Sequence, residues 1–211
     1  MSETLIAALL GSIFTLIGQI SNIYFSKLKV DSNLRQKETQ SKRDNLTEVY
    51  HSLISTINFY PNESPSDVLS NIEYAPVYSL ENFETMLISL EIQIEDYKNQ
   101  LDNLDNNFEQ KNDLQVRISN REYAKKRIIR IQDEYYKARD KYKSFSESGK
   151  SIFDLYAGQN VRNALINFDV IIHNVFISGS PAGDGDDPLE NDIDLARKNL
   201  IDSMRSDLES K

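Results

Sequence analysis

Few groups of residues in this sequence have types and spacings that suit chemistry at a site. The segment SGKS, residues 148–151, resembles the end of a loop that binds phosphate through backbone N–H groups and a lysine. Ser144 stands where such a loop needs its first glycine, and the pattern before it is helical instead of strand-like. We therefore expect no nucleotide site there, and no cofactor elsewhere.

A second group of side chains is acidic and lies towards the C-terminus: Asp184, Asp186, Asp187, Glu190, Asp192 and Asp194. Carboxylates at this density bind Ca²⁺ when a loop holds them at a fixed spacing. Pro188 occupies the third ligand position of an EF-hand loop, and no glycine follows it. With no Cys and two His, the sequence also offers almost no zinc ligands. We expect a solvated acidic linker and no metal site.

Arg162 and His173, in the segment RNALINFDVIIH, are the remaining pair of catalytic types. Helical ribonucleases of the HEPN class place a His shortly after an Arg, whereas here ten residues intervene. Eleven helical positions bring both side chains to one face about 16 Å apart, too far to share a phosphate. We expect His173 to be a partly buried core residue and no residue to be catalytic. A membrane-tethered nucleic-acid-binding or HEPN-like nuclease module ranks third among the functions.

A basic stretch offers a different kind of site, a surface for a partner: Arg117, Arg121, Lys125, Lys126, Arg127 and Arg130. Nucleic acid or anionic lipid could bind there, and Tyr123, Tyr135 and Tyr136 add stacking groups. However, an acidic segment is expected alongside and would cancel much of the field. The net charge of −9 also opposes nonspecific nucleic-acid binding. We therefore expect a cytoplasmic protein partner and not nucleic acid.

The elements that would position these groups begin with an uncharged N-terminal segment. Residues 4–26 are 23 positions without a charge, and a helix of that length covers about 35 Å, more than the roughly 30 Å of a bilayer core. The leader does not suit signal-peptide cleavage, so we expect a single-pass anchor in the lipid bilayer. Lys and Arg recur in residues 27–43 and none precedes the span, which predicts a cytoplasmic C-terminal body. The alternative is a buried core helix.

Small and polar residues of the anchor lie on or beside one helix face: Gly11, Ser12, Thr15, Gly18, Gln19 and Asn22. In hydrocarbon an amide needs a partner, and interhelical hydrogen bonds contribute about 0.6 to 2 kcal/mol. We expect this face to form a homo-oligomer, either at a tight helix interface or around a narrow pore. The alternative is a monomeric anchor whose Gln19 and Asn22 reach the headgroups.

Apolar spacing predicts an all-α protein after the anchor as well, because no segment alternates as a strand would. The predicted order is anchor 1–26, helical stalk 27–60, irregular connector 61–78 and cytoplasmic helical domain 79–211. That last domain divides into a hairpin 79–147, a helix 151–178, an acidic loop 179–187 and a C-terminal helix 188–209. Asp187 is the predicted N-cap of the last helix.

The hairpin has the clearest pattern, a coiled-coil repeat. Apolar residues alternate steps of three and four over its first arm: Leu80, Phe83, Leu87, Leu90, Ile94, Tyr97, Leu101, Leu104 and Phe108. The register slips at a turn near residues 106–113 and resumes from Ala124 to Phe145, which favours two antiparallel helices over one rod. Residues 81–113 carry nine acids and two bases, whereas residues 117–143 carry ten bases and four acids. The two arms are therefore complementary in charge.

Three segments carry a resemblance to known proteins: TLIAALLGSIFTLIG, KRDNLTEVYHSLIS and LARKNLIDSMRSDL. They resemble a loose group of uncharacterised bacterial and phage-associated proteins with one N-terminal membrane helix and a cytoplasmic helical bundle. The layout is also similar to the membrane accessory protein of type VI-B CRISPR systems, which forms an oligomeric pore. Together with the polar face of the anchor, this layout favours a nonenzymatic, self-associating membrane protein whose cytoplasmic bundle senses or recruits a partner, with membrane permeabilisation in phage defence as one form of that function. A passive anchor or scaffold that docks a cytoplasmic partner is the alternative.

Overall fold

The computed structural model describes the backbone of residues 3–104, 108–183 and 191–209, and their side chains except those of residues 3–18, 20, 21 and 23. All regular elements in these ranges are helical, which confirms the predicted all-α class. The elements are α1 (Glu3–Ile57), α2 (Pro65–Ser70), α3 (Phe83–Asp102), α4 (Phe108–Ser148), α5 (Lys150–Tyr156), α6 (Gln159–His173), a π-helical turn (Asn174–Ser178) and α7 (Asp192–Glu209).

The chain divides into two units, residues 1–45 and residues 46–210. In the first unit, Gln19, Asn22 and every side chain of residues 24–45 are exposed. Within the part of the chain whose side chains are described, no helix is both long and apolar enough to cross a membrane. The predicted span, residues 4–26, falls mostly outside that part, as do four residues of its polar face: Gly11, Ser12, Thr15 and Gly18. The anchor therefore stays a prediction.

The core of the second unit begins in the last turns of α1. Leu46, Val49, Leu53 and Ile57 recur every three or four residues and are all buried. The C-terminal part of the predicted stalk, residues 27–60, thus forms one wall of the body. Aromatic rings meet this wall from other helices, and the Tyr60 ring lies against Tyr135 and Phe168.

The connector, predicted to be irregular over residues 61–78, contains the short helix α2. Asp67 N donates to Ser64 Oγ (3.0 Å), and Ser64 N donates to Asp67 Oδ2 (2.9 Å). This is a capping box, and Pro65 occupies the first helical position. The spacing Ser-Pro-x-Asp is the sequence signal for this helix.

α3 and α4 pack side by side in antiparallel directions. Ion pairs cross between them from Lys98 to Glu122 (2.8 Å) and from Lys125 to Glu91 (3.0 Å). As the residue number rises on one helix, it falls on the other. The complementary charges of the two arms therefore meet across the pair, although such exposed ion pairs contribute little stability.

The turn between α3 and α4 differs from the predicted one at residues 106–113. α4 begins at Phe108, so most of the predicted turn is helical, and Phe108 is 83% exposed although the heptad pattern placed it in the core. Met86, which that pattern omitted, is buried instead, together with Leu90 and Ile94. The reason is that α3 packs against the core of the body as well as against α4. Its buried face is therefore not the face that a simple two-helix coiled coil would bury.

The predicted helix 151–178 is interrupted at Ala157 and Gly158, between α5 and α6. Gly158 lies against the Asp207 carboxylate, where a Cβ atom would clash. The backbone therefore leaves the helix at a residue without a side chain. The π-helical turn then ends at Gly179, whose φ of +88° places it in the left-handed region.

The C-terminal helix begins later than residue 188, the predicted start. Asn191 bridges to Gly183 and accepts a hydrogen bond from Asp194 N (3.0 Å), so Asn191 caps α7. The predicted N-cap, Asp187, and most of the acidic part of the loop predicted at residues 179–187 lie outside the described residues. α7 packs against α6 along most of its length.

Candidate interaction surface at the connector

Residues 71–80, here called the connector segment, link α2 to α3 and lie along one edge of α3. Gln93 Nε2 donates to Tyr74 O (3.0 Å), and Asn82 Nδ2 donates to Val77 O (2.8 Å). At the end of the segment, Leu80 N donates to a carbonyl of the π-helical turn, Ile177 O (3.0 Å). These side-chain and backbone bonds fix the course of the segment over three helical turns of α3.

Arg121, on α4, binds the buried side of the connector segment and is itself 2% exposed. Its Nη2 donates to Glu73 O (2.6 Å) and its Nε to Gln93 Oε1 (2.8 Å). The guanidinium lies over the Tyr97 ring, 4.7 Å from the centroid. No carboxylate among the described residues forms an ion pair with Arg121, so neutral oxygens and a ring stabilise this buried charge. One cation thus joins α3, α4 and the connector segment.

Tyr74 has an uncommon backbone conformation at this surface. Its φ of +58° lies in the left-handed region, and no other described residue except glycine has a positive φ. Such a conformation costs of order 1 kcal/mol and persists where the surroundings impose it. Here the bonds to Glu73 O and Tyr74 O impose it. The ring is not buried in return, because Tyr74 is 79% exposed.

Large apolar side chains are exposed on the connector segment, Tyr74 (79%) and Val77 (80%), and on α3, Ile88 (56%) and Ile92 (61%). Ile88 and Ile92 lie one turn apart on the solvent side of α3, and Gln93, which binds Tyr74 O, directly follows Ile92. Exposed acids flank the isoleucines along the chain on both sides. The connector surface is defined by these residues: Tyr74, Val77, Glu81, Glu84, Ile88, Ile92, Glu95 and Asp96.

The basic surface predicted on α4 is largely occupied by internal contacts. Arg121 is buried and does not belong to a surface, which corrects that part of the prediction. Four of the other residues form ion pairs: Arg117 with Glu73 and Asp113, Lys125 with Glu91, Arg127 with Glu63, and Arg130 with Glu134. Lys126 is exposed. Acids of α3, of α4 itself and of the segments on either side of α2 therefore neutralise much of this stretch.

Arg162 and His173, the two residues of catalytic types, have different surroundings in the structure. Arg162 donates to Ala157 O through Nε (3.0 Å) and Nη2 (2.8 Å), which satisfies a carbonyl at the end of α5. His173 is exposed at the end of α6, so the expectation of a partly buried His173 is wrong. Among the described side chains, no group of three or more His, Asp or Glu residues is arranged to hold a metal ion.

A polar cluster that no sequence pattern predicted joins α1, α7 and the start of α6. Tyr50 Oη donates to Asp207 Oδ2 (2.6 Å), and Gly158 N donates to the same oxygen (3.3 Å). Burial raises the pKa of the Tyr50 hydroxyl, and the hydrogen bond and charge of Asp207 raise it further. The carboxylate also lies at the N-terminus of α6, where the helix dipole favours an anion. Because Tyr50 and Asp207 are 157 positions apart, no local pattern could reveal this contact.

The fold and the described side chains define an all-α protein whose most unusual exposed feature is Tyr74, with its left-handed backbone and its exposed ring. Comparisons of the chain with protein-family models, with curated proteins and with solved structures found no match. The connector surface and the sequence of the predicted anchor are therefore the features of this chain that bear on its function.

Proposed function

We propose that this chain is a nonenzymatic, self-associating membrane protein whose helical body recruits a cytoplasmic partner through the connector surface. Residues 4–26 are the single-pass anchor in this proposal, and the polar face from Gly11 to Asn22 carries the self-association. The exposure and backbone conformation of Tyr74 are the observations that support the recruitment role. Tyr74 has an exposed ring on a strained backbone that hydrogen bonds hold in place.

The conformation of Tyr74 gives the fold no evident stability. Strain of this kind tends to occur where a backbone is arranged in advance for function. A tyrosine whose backbone is already fixed loses little backbone entropy on binding and offers both an apolar ring and a hydroxyl, as residues that dominate interface energies do. We therefore assign Tyr74 as the central contact of a recruitment surface.

The exposed part of α1 supports self-association. Leu28, Val30 and Leu34, which follow the proposed anchor, are large apolar side chains, and each is about half exposed. A single helix in water is only marginally stable, and most helices gain stability by packing an apolar face. A second copy of the same helix would provide that packing.

A membrane-permeabilising effector is the second candidate. Gln19 and Asn22 are exposed in the described part of α1 and are three positions apart, which places them on one face. In an oligomer this face would be available to water instead of lipid. A role in phage defence rests on the resemblance in layout alone.

Membrane fractionation tests the anchor. The full-length protein should stay in the membrane pellet after alkaline carbonate extraction. Ile13→Lys with Ile17→Lys should release it, because each lysine at the centre of a span costs about 2.5 to 3.5 kcal/mol. The matched pair Val30→Lys with Leu34→Lys has the same spacing in the following basic stretch and should leave the protein in the pellet. Extraction of the unaltered protein into the supernatant would contradict the anchor.

Two leucine substitutions separate an oligomeric pore from a passive anchor. Gln19→Leu with Asn22→Leu removes both amides from the polar face. If that face lines a pore, the detergent-solubilised protein should have a smaller mass and vesicles that contain it should stop leaking ions. An unchanged mass together with unchanged leakage would reject the pore and leave the scaffold.

A further inference from the structure

The connector surface has a chemistry that specifies the element it would bind. We infer that its partner is a basic amphipathic helix, which packs two apolar side chains against Ile88 and Ile92 and places Lys or Arg beside Glu84 and Glu95. This inference rests on the proposed recruitment function, whose partner it names.

The charge of α3 points to a cationic partner. Residues 81–102 carry six acids and one base. Lys125 pairs with Glu91 of this set, and Lys98 pairs with Glu122 of α4. Glu84 and Glu95 are exposed and take part in no ion pair with another described residue. Such a surface attracts basic segments and repels anionic lipid and nucleic acid.

The spacing of the connector surface points to a helix. Glu84 and Glu95 are eleven positions apart, about 16 Å or three turns along α3, and Ile88 and Ile92 lie between them. A partner helix with two apolar residues four positions apart, flanked by basic residues, presents the same pattern with opposite charge. Tyr74 and Val77 are held to α3 through Gln93 and Asn82, and in this inference they add a second apolar contact for the partner beside the α3 stripe.

Arg121 keeps this surface assembled before a partner arrives. Its bonds to Glu73 O and Gln93 Oε1 hold the connector segment and α3 together. Binding then requires little ordering of the backbone, which removes part of the entropic cost of association. A basic helix would therefore meet a rigid edge formed by α3 and the connector segment.

Fluorescence anisotropy with synthetic helices tests the inference. The probe is a labelled peptide of about 18 residues, five helical turns, with two leucines four positions apart, flanking lysines and otherwise Ala and Gln. A counterpart carries Glu in place of every Lys. With the full-length protein in a zwitterionic detergent, and empty micelles as background, the Lys probe should bind and the Glu probe should bind at least roughly tenfold more weakly. Added salt should weaken the Lys probe.

Paired variants locate the binding site. Ile88→Ser with Ile92→Ser should weaken binding of the Lys probe roughly tenfold, because both isoleucine side chains lose the burial that the probe would provide. The matched control is Ile166→Ser with Val170→Ser, a similarly exposed pair with the same spacing on α6, which should bind as the unaltered protein does.

Charge reversal gives the sharpest result. Glu84→Lys with Glu95→Lys should exchange the preference, so that the Glu probe binds and the Lys probe does not. Glu147→Lys with Asp154→Lys changes the net charge by the same amount elsewhere on the body and should keep the original preference.

Two outcomes would overturn the inferred partner. One is equal binding of both probes, and the other is an equal loss in the α3 and α6 serine pairs. The carbonate extraction uses no probe, so the two proposals can fail separately. A carbonate-resistant protein that ignores the Lys probe rejects the basic helix, whereas a protein that binds the probe but leaves the membrane rejects the anchor.

Discussion

Arg121 and Arg197 both bind backbone carbonyls of the body, but in different surroundings. Arg197, on α7, donates to Tyr60 O (2.9 Å), just beyond the C-terminal end of α1, and pairs with Asp194 (2.5 Å). Burial lowers the pKa of Arg197, and the Asp194 carboxylate opposes that effect. Arg121 binds carbonyl and amide oxygens and a ring, and has no ion pair within the described residues.

The difference between the two arginines lies in what each one holds. Arg197 satisfies carbonyls at a helix end, a common use of a basic side chain. Arg121 fixes a segment that contains a strained residue, Tyr74, whose ring faces solvent. Loss of Arg197 should therefore affect the fold alone, whereas loss of Arg121 should affect both the fold and the connector surface.

The largest effect is expected for Arg121→Met. The substitution removes a buried cation and leaves Glu73 O and Gln93 Oε1 without their donor at a partly buried site, so the free energy of unfolding should fall by about 3 kcal/mol. Urea unfolding followed by near-UV circular dichroism measures it, since ten of the eleven tyrosines lie after residue 45. Arg139→Met is the control, because Arg139 is exposed and lies over the Tyr136 ring (4.7 Å). Similar small losses in both variants would contradict the role of Arg121.

Arg197→Met should have the next largest effect, a loss of about 2 kcal/mol. Tyr60 O loses its donor, while Asp194 is exposed enough for water to replace the arginine. The affinity for the Lys probe should not change, because Arg197 does not contact the connector segment. If this variant weakens probe binding as strongly as an Arg121 variant does, the contrast between the two arginines is wrong.

Arg121→Lys tests the connector surface without removing the charge. A lysine ammonium cannot reproduce the planar set of donors that reaches Glu73 O and Gln93 Oε1 together. We expect a loss of about 1 to 2 kcal/mol in stability and a roughly threefold loss of probe affinity, as the connector segment loosens. Arg197→Lys is the matched control and should retain full affinity for the probe.

The smallest expected change in stability is an increase, from Tyr74→Gly. Glycine adopts the left-handed region without strain, which raises the stability by up to about 1 kcal/mol. Glycine also loses more chain entropy on folding than tyrosine does, and this loss offsets part of the gain. Tyr123→Gly removes another exposed ring but lies within α4, where it should lower stability by about 1 kcal/mol. Equal destabilisation by both substitutions would show that Tyr74 is not strained.

Much of the fold follows from local patterns in the sequence. Apolar spacing predicts helices through most of the body, and the opposite charges of the two arms predict that α3 and α4 pair. Arg121 itself carried a signal, because it stands at helical spacing between Ile118 and Ala124, both of them buried. A basic residue in an apolar stripe can be a core residue that satisfies carbonyls instead of part of a surface.

Other features depend on contacts between distant residues. The break at Gly158 reflects the Asp207 carboxylate, which lies 49 positions later in the chain. The left-handed conformation of Tyr74 depends on Gln93 and Arg121, and a Tyr between Glu and Ala is no turn signature. The exposure of Phe108 depends on how α3 shares its buried face with the body.

The most direct test of the central claim measures the affinity of Tyr74→Gly for the Lys probe beside its urea midpoint. If the strained ring serves a partner, the affinity should fall roughly tenfold while the midpoint stays the same or rises. Tyr123→Ala, which removes an exposed ring outside the connector surface, should leave the affinity unchanged. An unchanged affinity in Tyr74→Gly would contradict the claim that the connector surface is built for binding.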